Sequence, residues 1–108
     1  MPKVQDPLLE QAKTEARFWA KVNITEDCWQ WCGPLSWGGY GRFWDGTKQV
    51  QAHRYAYALL VGSIPVGLTL DHLCRNRGCV RPKHLEPVTR KVNILRGVSV
   101  SAVFAQRT

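Results

Sequence analysis

Two thiols and an imidazole follow one another at equal spacing in the second half of the chain, as Cys74-x4-Cys79-x4-His84. A loop of that spacing can bring three side chains to one tetrahedral centre, and a chain clipped there has to fold around the clip. Cys28 and Cys32 lie upstream, so the obvious zinc site would be four thiolates, Cys28-x3-Cys32 with Cys74-x4-Cys79. The local pattern argues against it. Trp29 and Trp31 alternate with Cys28, Gln30 and Cys32, which is the period of an extended strand. Residues four apart on a strand are about 13 Å apart, whereas sulfurs sharing a zinc, each about 2.3 Å from it, lie within about 4 Å of one another. Only one of Cys28 and Cys32 can therefore join the downstream three. Cys28 then completes a Cys3His site, with Cys32 the open alternative. A closed four-ligand site leaves no room for substrate, so its role is to pin the loop. The rival reading is a Cys74–Cys79 disulfide beside free thiols in a secreted chain. Residues 1–24 oppose it, because they contain Asp6, Glu10 and Glu15 and no apolar stretch of signal-peptide length.

At 108 residues the chain is one domain with a thin core, which a metal clip would help. No apolar run approaches the about 20 residues that a membrane span needs. Charge is uneven. Seven Lys/Arg face six Asp/Glu in residues 1–54, but eight face two in residues 55–108, so nearly all of the net +7 lies in the second half. Arg75, Arg77, Arg81, Lys83, Arg90, Lys91 and Arg96 cluster in and after the Cys/His loop. Such a face attracts polyanions, nucleic acid first among them, unless it is only a solvated surface.

Periodicity predicts an amphipathic helix over residues 7–22, with Asp6 as cap and Pro7 at the first helical position, packed on the main domain or standing as an arm. A strand over 28–32 ends at Gly33-Pro34. Residues 40–44 and 48–52 form a hairpin around the Asp45-Gly46 turn. A short helix is expected over 54–61, a strand over 69–73, and a final helix over 84–96 with Leu85, Val88, Val92 and Leu95 on one face and Gly97 as its stop. Residues 98–108 read as a tail. Trp29, Trp31, Trp37 and Trp44 are mostly expected in the core, with Trp44 the most exposed. The hairpin, carrying Arg42, Trp44, Lys48, Gln49 and Gln51, could enter a groove of DNA as a ribbon.

Asp71-His72 ends the short apolar strand, and Asn93 lies in the helix beyond the loop. A carboxylate and a carboxamide oxygen are hard donors for Mg²⁺. A neutral imidazole suits a general base near pH 7. Each residue alone has an ordinary structural explanation, and the case rests on their conjunction with the loop and the basic half. Arg54 is a phosphate contact or one half of an ion pair. His53 is equally a packed histidine at a helix start.

Asp71-His72-Leu73-Cys74, Cys79-Val80-x-Pro82-x-His84-Leu85 and Asn93 resemble the HNH endonucleases of the ββα-metal fold. Cys28-Trp29-x-Trp31-x-Gly33, Gly39-Tyr40-Gly41-x-Phe43 and Ala52-His53-Arg54 resemble the phage-type branch, and the loop spacing is similar to that of His-Cys box homing endonucleases. Asn93 stands in the last signature position, Arg81 where asparagine is common, and His84 in the middle position.

The resemblance implies an α+β fold, a small ββα-metal domain over 25–97 with a structural zinc, to which the periodicity and turn signals add the β-hairpin and an N-terminal helical arm over 1–24. It implies Zn²⁺ on Cys28, Cys74, Cys79 and His84, catalytic Mg²⁺ (or Mn²⁺ or Ni²⁺) on Asp71 and Asn93, and His72 as general base. The implied reaction is hydrolysis of DNA phosphodiesters to 5′-phosphate and 3′-hydroxyl ends. Double-stranded DNA would be met by Arg42, Arg54, Arg75, Arg77, Arg81, Lys83, Arg90 and Lys91. A homodimer and phage packaging proteins are further partners it leaves open, in the cytoplasm of a bacterial host. The alternative is a non-catalytic, zinc-stabilised nucleic-acid-binding module of the same fold.

Overall fold

Asp6 starts the first helix as its sequence predicts. In the structure, a computed structural model in which residues 6–96 are described, its carboxylate accepts a hydrogen bond of 3.0 Å from Leu8 N at the head of α1 (Pro7–Trp19). That satisfies an amide the helix cannot. The helix stops three residues short of the predicted end. Val22 belongs to a strand, β1 (Val22–Ile24), which pairs antiparallel with β2 (Trp29–Trp31). Of the two roles open to α1, packing is the one found. Phe18 is fully buried against Trp31, Phe43, Ala52, Ala56 and Val80, with ring centroids 5.2 Å from Trp31 and 5.3 Å from Phe43. Burying a phenylalanine side chain contributes about 1.5–3 kcal/mol.

The expected hairpin is present as β3 (Arg42–Trp44) and β4 (Gln49–Gln51). Asp45 Oδ1 accepts from Thr47 N at 2.8 Å and Lys48 N at 2.9 Å, and Gly46 takes φ +104°. The chain runs from β4 directly into α2 (Ala52–Leu60). Gly41 lets this junction close: a Cβ there would meet the Trp31 ring at 2.7 Å and Ala52 Cβ at 2.8 Å.

The last third differs from the reading of 84–96 as one helix. Pro82–His84 makes a single 3-10 turn, and residues 85–89 are strand β6 (Leu85–Thr89), paired antiparallel with β5 (Leu68–His72). A third helix, α3, occupies residues 90–96. Leu85, Val88, Val92 and Leu95 have helical spacing by coincidence. Pro87 is the contrary signal, since proline in a helix interior loses a hydrogen bond and clashes with the preceding turn. Strand, Cys/His loop, strand and helix thus form a ββα unit within a small α+β fold. The predicted stop at Gly97 and the tail 98–108 lie outside the described residues.

Among the tryptophans the expectation fails at Trp37. Trp31 is buried and Trp44 is 47% exposed, but Trp37 is 100% exposed.

Candidate active site and metal centre

The loop between β5 and β6 is stitched to β2. Trp31 N donates to Gly78 O at 2.8 Å, Val80 N donates to Trp29 O at 2.8 Å, and Gln30 bridges Cys79. This pairing carries Cys28, just before β2, to the loop. Cys28, Cys74, Cys79 and His84 converge, with one ligand atom from each within 4.8 Å of all the others. His84 Nδ1 is 3.6 Å from Cys28 Sγ and 3.5 Å from Cys79 Sγ, the separations of donors on one small tetrahedral ion. On the far side of the ring, His84 Nε2 lies 3.9 Å from the exposed Asp27 Oδ1, beyond hydrogen-bond distance. Cys32 lies elsewhere, exposed, with its thiol donating to Gln30 O at 3.5 Å. The extended backbone of β2 separates the two upstream cysteines, as the strand geometry required.

Burial pushes the Cys79 thiol up to about 12 and raises Cys74 as well. A cation is what would make thiolates stable there, so the donor set, three sulfurs and one imidazole, fits a metal such as zinc.

His72, at the end of β5, and Asn93, in α3, line one cleft of about 420 Å³ together with Tyr40, Leu70, Arg75, Arg77 and Ile94. Two larger depressions, about 600 and 620 Å³, lie beside the hairpin and contain no histidine, cysteine or asparagine. Chemistry rather than size marks the first. His72 is 6% exposed, and its Nε2 lies 3.1 Å from Cys79 O. A carbonyl can only accept, so Nε2 carries the proton and the neutral ring keeps its lone pair on Nδ1. Burial lowers the His72 pKa, outweighing the Cys79 carbonyl and Asp71, which raise it. Burial therefore favours the neutral form of the ring.

Asp71 does not line the cleft. It is 2% exposed, and both its oxygens are taken, Oδ1 by Arg75 at 2.8 Å and Oδ2 by Arg96 at 3.0 Å. Asn93 Nδ2 reaches Thr69 Oγ1 at 3.5 Å. Arg75 itself sits at φ +63°, an uncommon backbone for a side-chain-bearing residue, in the turn where its N–H bonds His72 O at 3.0 Å.

The basic residues separate into groups. Arg77 donates to Gly38 O at 2.8 Å and lies over the Tyr40 ring. Arg81 donates to Glu26 O and Asp27 O at 2.7 and 2.6 Å and packs on Trp29, so it braces the segment before Cys28. Arg42, Lys83, Arg90 and Lys91 are exposed. Arg54 is half-buried in the 620 Å³ depression and makes no ion pair among the described residues.

Sequence reasoning did not assign Tyr40 or His53 to this site. The Tyr40 ring is 5.5 Å from His53 and 5.7 Å from His72, and the two imidazoles are 4.5 Å apart. Nothing local in the sequence announces this stack, because its members come from three separate segments. His53 is the packed histidine at a helix start, 3% exposed, with Nδ1 lacking a partner among the described residues. Burial, then His72 and Arg54, pull its pKa from 6.5 to about 3. A histidine held neutral in the fold but protonated in the unfolded chain stabilises fully above pH 6.5 and loses that contribution as pH falls toward its folded value. Between pH 7.5 and 5 the loss should approach about 2 kcal/mol. Urea midpoints are expected to fall over that range and to fall less in His53→Leu; equal slopes would remove His53 from the account.

The HNH endonuclease family model matches residues 50–95. Protein 7.7 of Escherichia phage T7 is 41% identical over 68 residues, 63% of this chain and 52% of that protein. Protein 2.8 of the same phage is 34% identical over 76 residues, 68% of this chain and 51% of that protein. The uncharacterized gene 5.3 protein of Enterobacteria phage T3 is 33% identical over 64 residues, 54% of this chain and 63% of that protein. The chain thus spans about half the length of the two T7 relatives. No solved structure matches it. Strands β5 and β6, the loop between them and α3 as far as Leu95 fall inside the matched residues, which hold His72, Asn93, Cys74, Cys79 and His84 but neither Cys28 nor Tyr40, and over residues 50–95 the chain is similar to the HNH endonuclease family.

Proposed function

We propose that the chain is a metal-dependent DNA endonuclease that uses His72 as general base, with a structural zinc on Cys28, Cys74, Cys79 and His84. The observation that carries this is the Nε2 contact with the Cys79 carbonyl, which leaves Nδ1 of a neutral imidazole to take a proton in an arginine-bearing cleft. His72 removes a proton from water. The oxygen attacks phosphorus in line with the 3′ oxygen, the P–O3′ bond breaks, and the departing oxygen is protonated from solvent. The ends are 5′-phosphate and 3′-hydroxyl. Arg75 and Arg77 offset the charge of the phosphate.

Asp71 and Asn93 offer oxygen donors of the kind Mg²⁺ takes, and the cation when bound supplies charge neutralisation at the departing oxygen. Asp71 can serve only after Arg75 or Arg96 releases it. That double ion pair is also what favours the second reading, a non-catalytic nucleic-acid-binding module in which Asp71 is purely structural. Exposed Arg42, Lys83, Arg90 and Lys91, with Arg54, are proposed to meet the phosphates of duplex DNA in an infected bacterium. Arg81, already spent on two carbonyls, contributes by bracing.

Supercoiled plasmid incubated with the purified chain separates the readings. Conversion to nicked or linear DNA is expected with Mg²⁺ and none with EDTA. Retention of DNA in a gel shift without cleavage in Mg²⁺, Mn²⁺ or Ni²⁺ would establish the binding module instead.

A further inference from the structure

Trp37 stands wholly in solvent, although tryptophan is the side chain that gains most from burial and the chain buries or half-buries Trp19, Trp29 and Trp31 around Phe18. The backbone that carries it is held from both ends. Leu35 bridges Gly41, Ser36 N donates to Tyr40 O at 2.7 Å, and Gly39 N donates to Ser36 O at 3.1 Å. Gly38 and Gly39 take φ +97° and +87°, which side-chain-bearing residues rarely adopt, so the turn requires them. The turn is then tied to the cleft wall. Arg77 donates to Gly38 O at 2.8 Å, and its guanidinium lies 5.2 Å from the centre of the Tyr40 ring, which itself packs 5.7 Å from His72. An indole held out in water is thus one residue from an arginine contact at the rim of the cleft.

From this juxtaposition of a fully exposed indole with an arginine-lined cleft, we infer that Trp37 is a DNA contact that stacks on a base of the nucleotide next to the phosphate held in the cleft. The inference rests on the endonuclease reading and deepens it. Charge selects the occupant: Arg75 and Arg77 in the cleft favour a polyanion, and an aromatic side chain beside a phosphate site meets a base face in nucleic acid. Stacking on a base tolerates sequence, and a wedge at a base step also bends or unstacks the duplex.

Fluorescein-labelled duplex DNA titrated with the full chain at several salt concentrations tests this by anisotropy. Trp37→Ala is expected to weaken binding about tenfold, at the scale of one lost base–aromatic stack. Trp37→Phe should recover most of the loss. The slope of log K against log salt should not change, because stacking releases no counterions, whereas Arg77→Ala should flatten it by about one. As Trp37 is fully exposed and packs on nothing among the described residues, Tm and zinc content should match those of the unaltered chain. Equal affinity of Trp37→Ala and the unaltered chain overturns the inference while leaving the endonuclease reading in place. So does a loss that tracks dissociation of a dimer on size exclusion, which would assign Trp37 to a second copy. Absence of DNA binding by the unaltered chain instead removes the reading on which the inference stands.

Discussion

Plasmid nicking in Mg²⁺ is expected to fall by about 10²–10⁴-fold in His72→Ala, with affinity for the same DNA little changed. The truncation removes the proposed base but leaves Arg75 and Arg77 in place. Two side effects have to be separated from this. Cys79 O loses its donor, and the His53 and Tyr40 rings lose their neighbour. An unsatisfied buried carbonyl costs about 1–3 kcal/mol, so Tm should fall modestly. His72→Gln is the control, since its amide can donate to a carbonyl but cannot act as a base at neutral pH. Nicking should be lost in both variants, with both still retaining zinc and binding DNA. Undiminished nicking in either folded variant would show that the base is elsewhere.

Removal of a proposed zinc ligand should have the largest effect on stability. Cys79 is fully buried, and its loop is bonded to β2 on both sides of it. Cys79→Ser is expected to abolish the tightly held zinc, about one per chain before substitution, and to cost about 3 kcal/mol or more, a fall of roughly 10–25 °C in Tm. A small domain with one thin core has little to replace that loss. Cys32→Ser should leave zinc content and Tm unchanged, because Cys32 is exposed and outside the cluster. Metal analysis and circular dichroism on the three proteins decide it. A fully folded, metal-free preparation of the unaltered chain would mean that the four side chains converge without a metal.

The two experiments are linked through one carbonyl. Cys79 contributes its sulfur to the cluster and its backbone oxygen to His72. A metal held by the cluster, although closed to substrate, would therefore set the position of the proposed base. Loss of zinc should cost activity through the same residue even where DNA still binds.

Where a signal was local, it was legible. Asp6-Pro7 marks a helix start, Asp45-Gly46 a hairpin, and period-two tryptophans an extended strand that keeps Cys28 and Cys32 apart. Helical spacing at Leu85, Val88, Val92 and Leu95 misled, because apolar periodicity says what is buried and not what it pairs with. Leu85 and Val88 are buried in a strand opposite His72 and Thr69. β1 was hidden because Val22 also fits the helical spacing that runs through Leu8, Ala12, Ala16 and Trp19.

By itself the sequence determined the donors: three sulfurs and an imidazole at spacings a single ion can gather, and an imidazole next to a carboxylate before a basic loop. Those are matters of residue type and chain reach. Only the tertiary structure decided which groups look into the cleft. The strand ladder turns Nε2 of His72 onto a carbonyl, packs His53 and Tyr40 beside it, commits Asp71 to two arginines and leaves Trp37 in water. Side-chain direction follows from register and from partners far along the chain, and neither is written in the residues nearby.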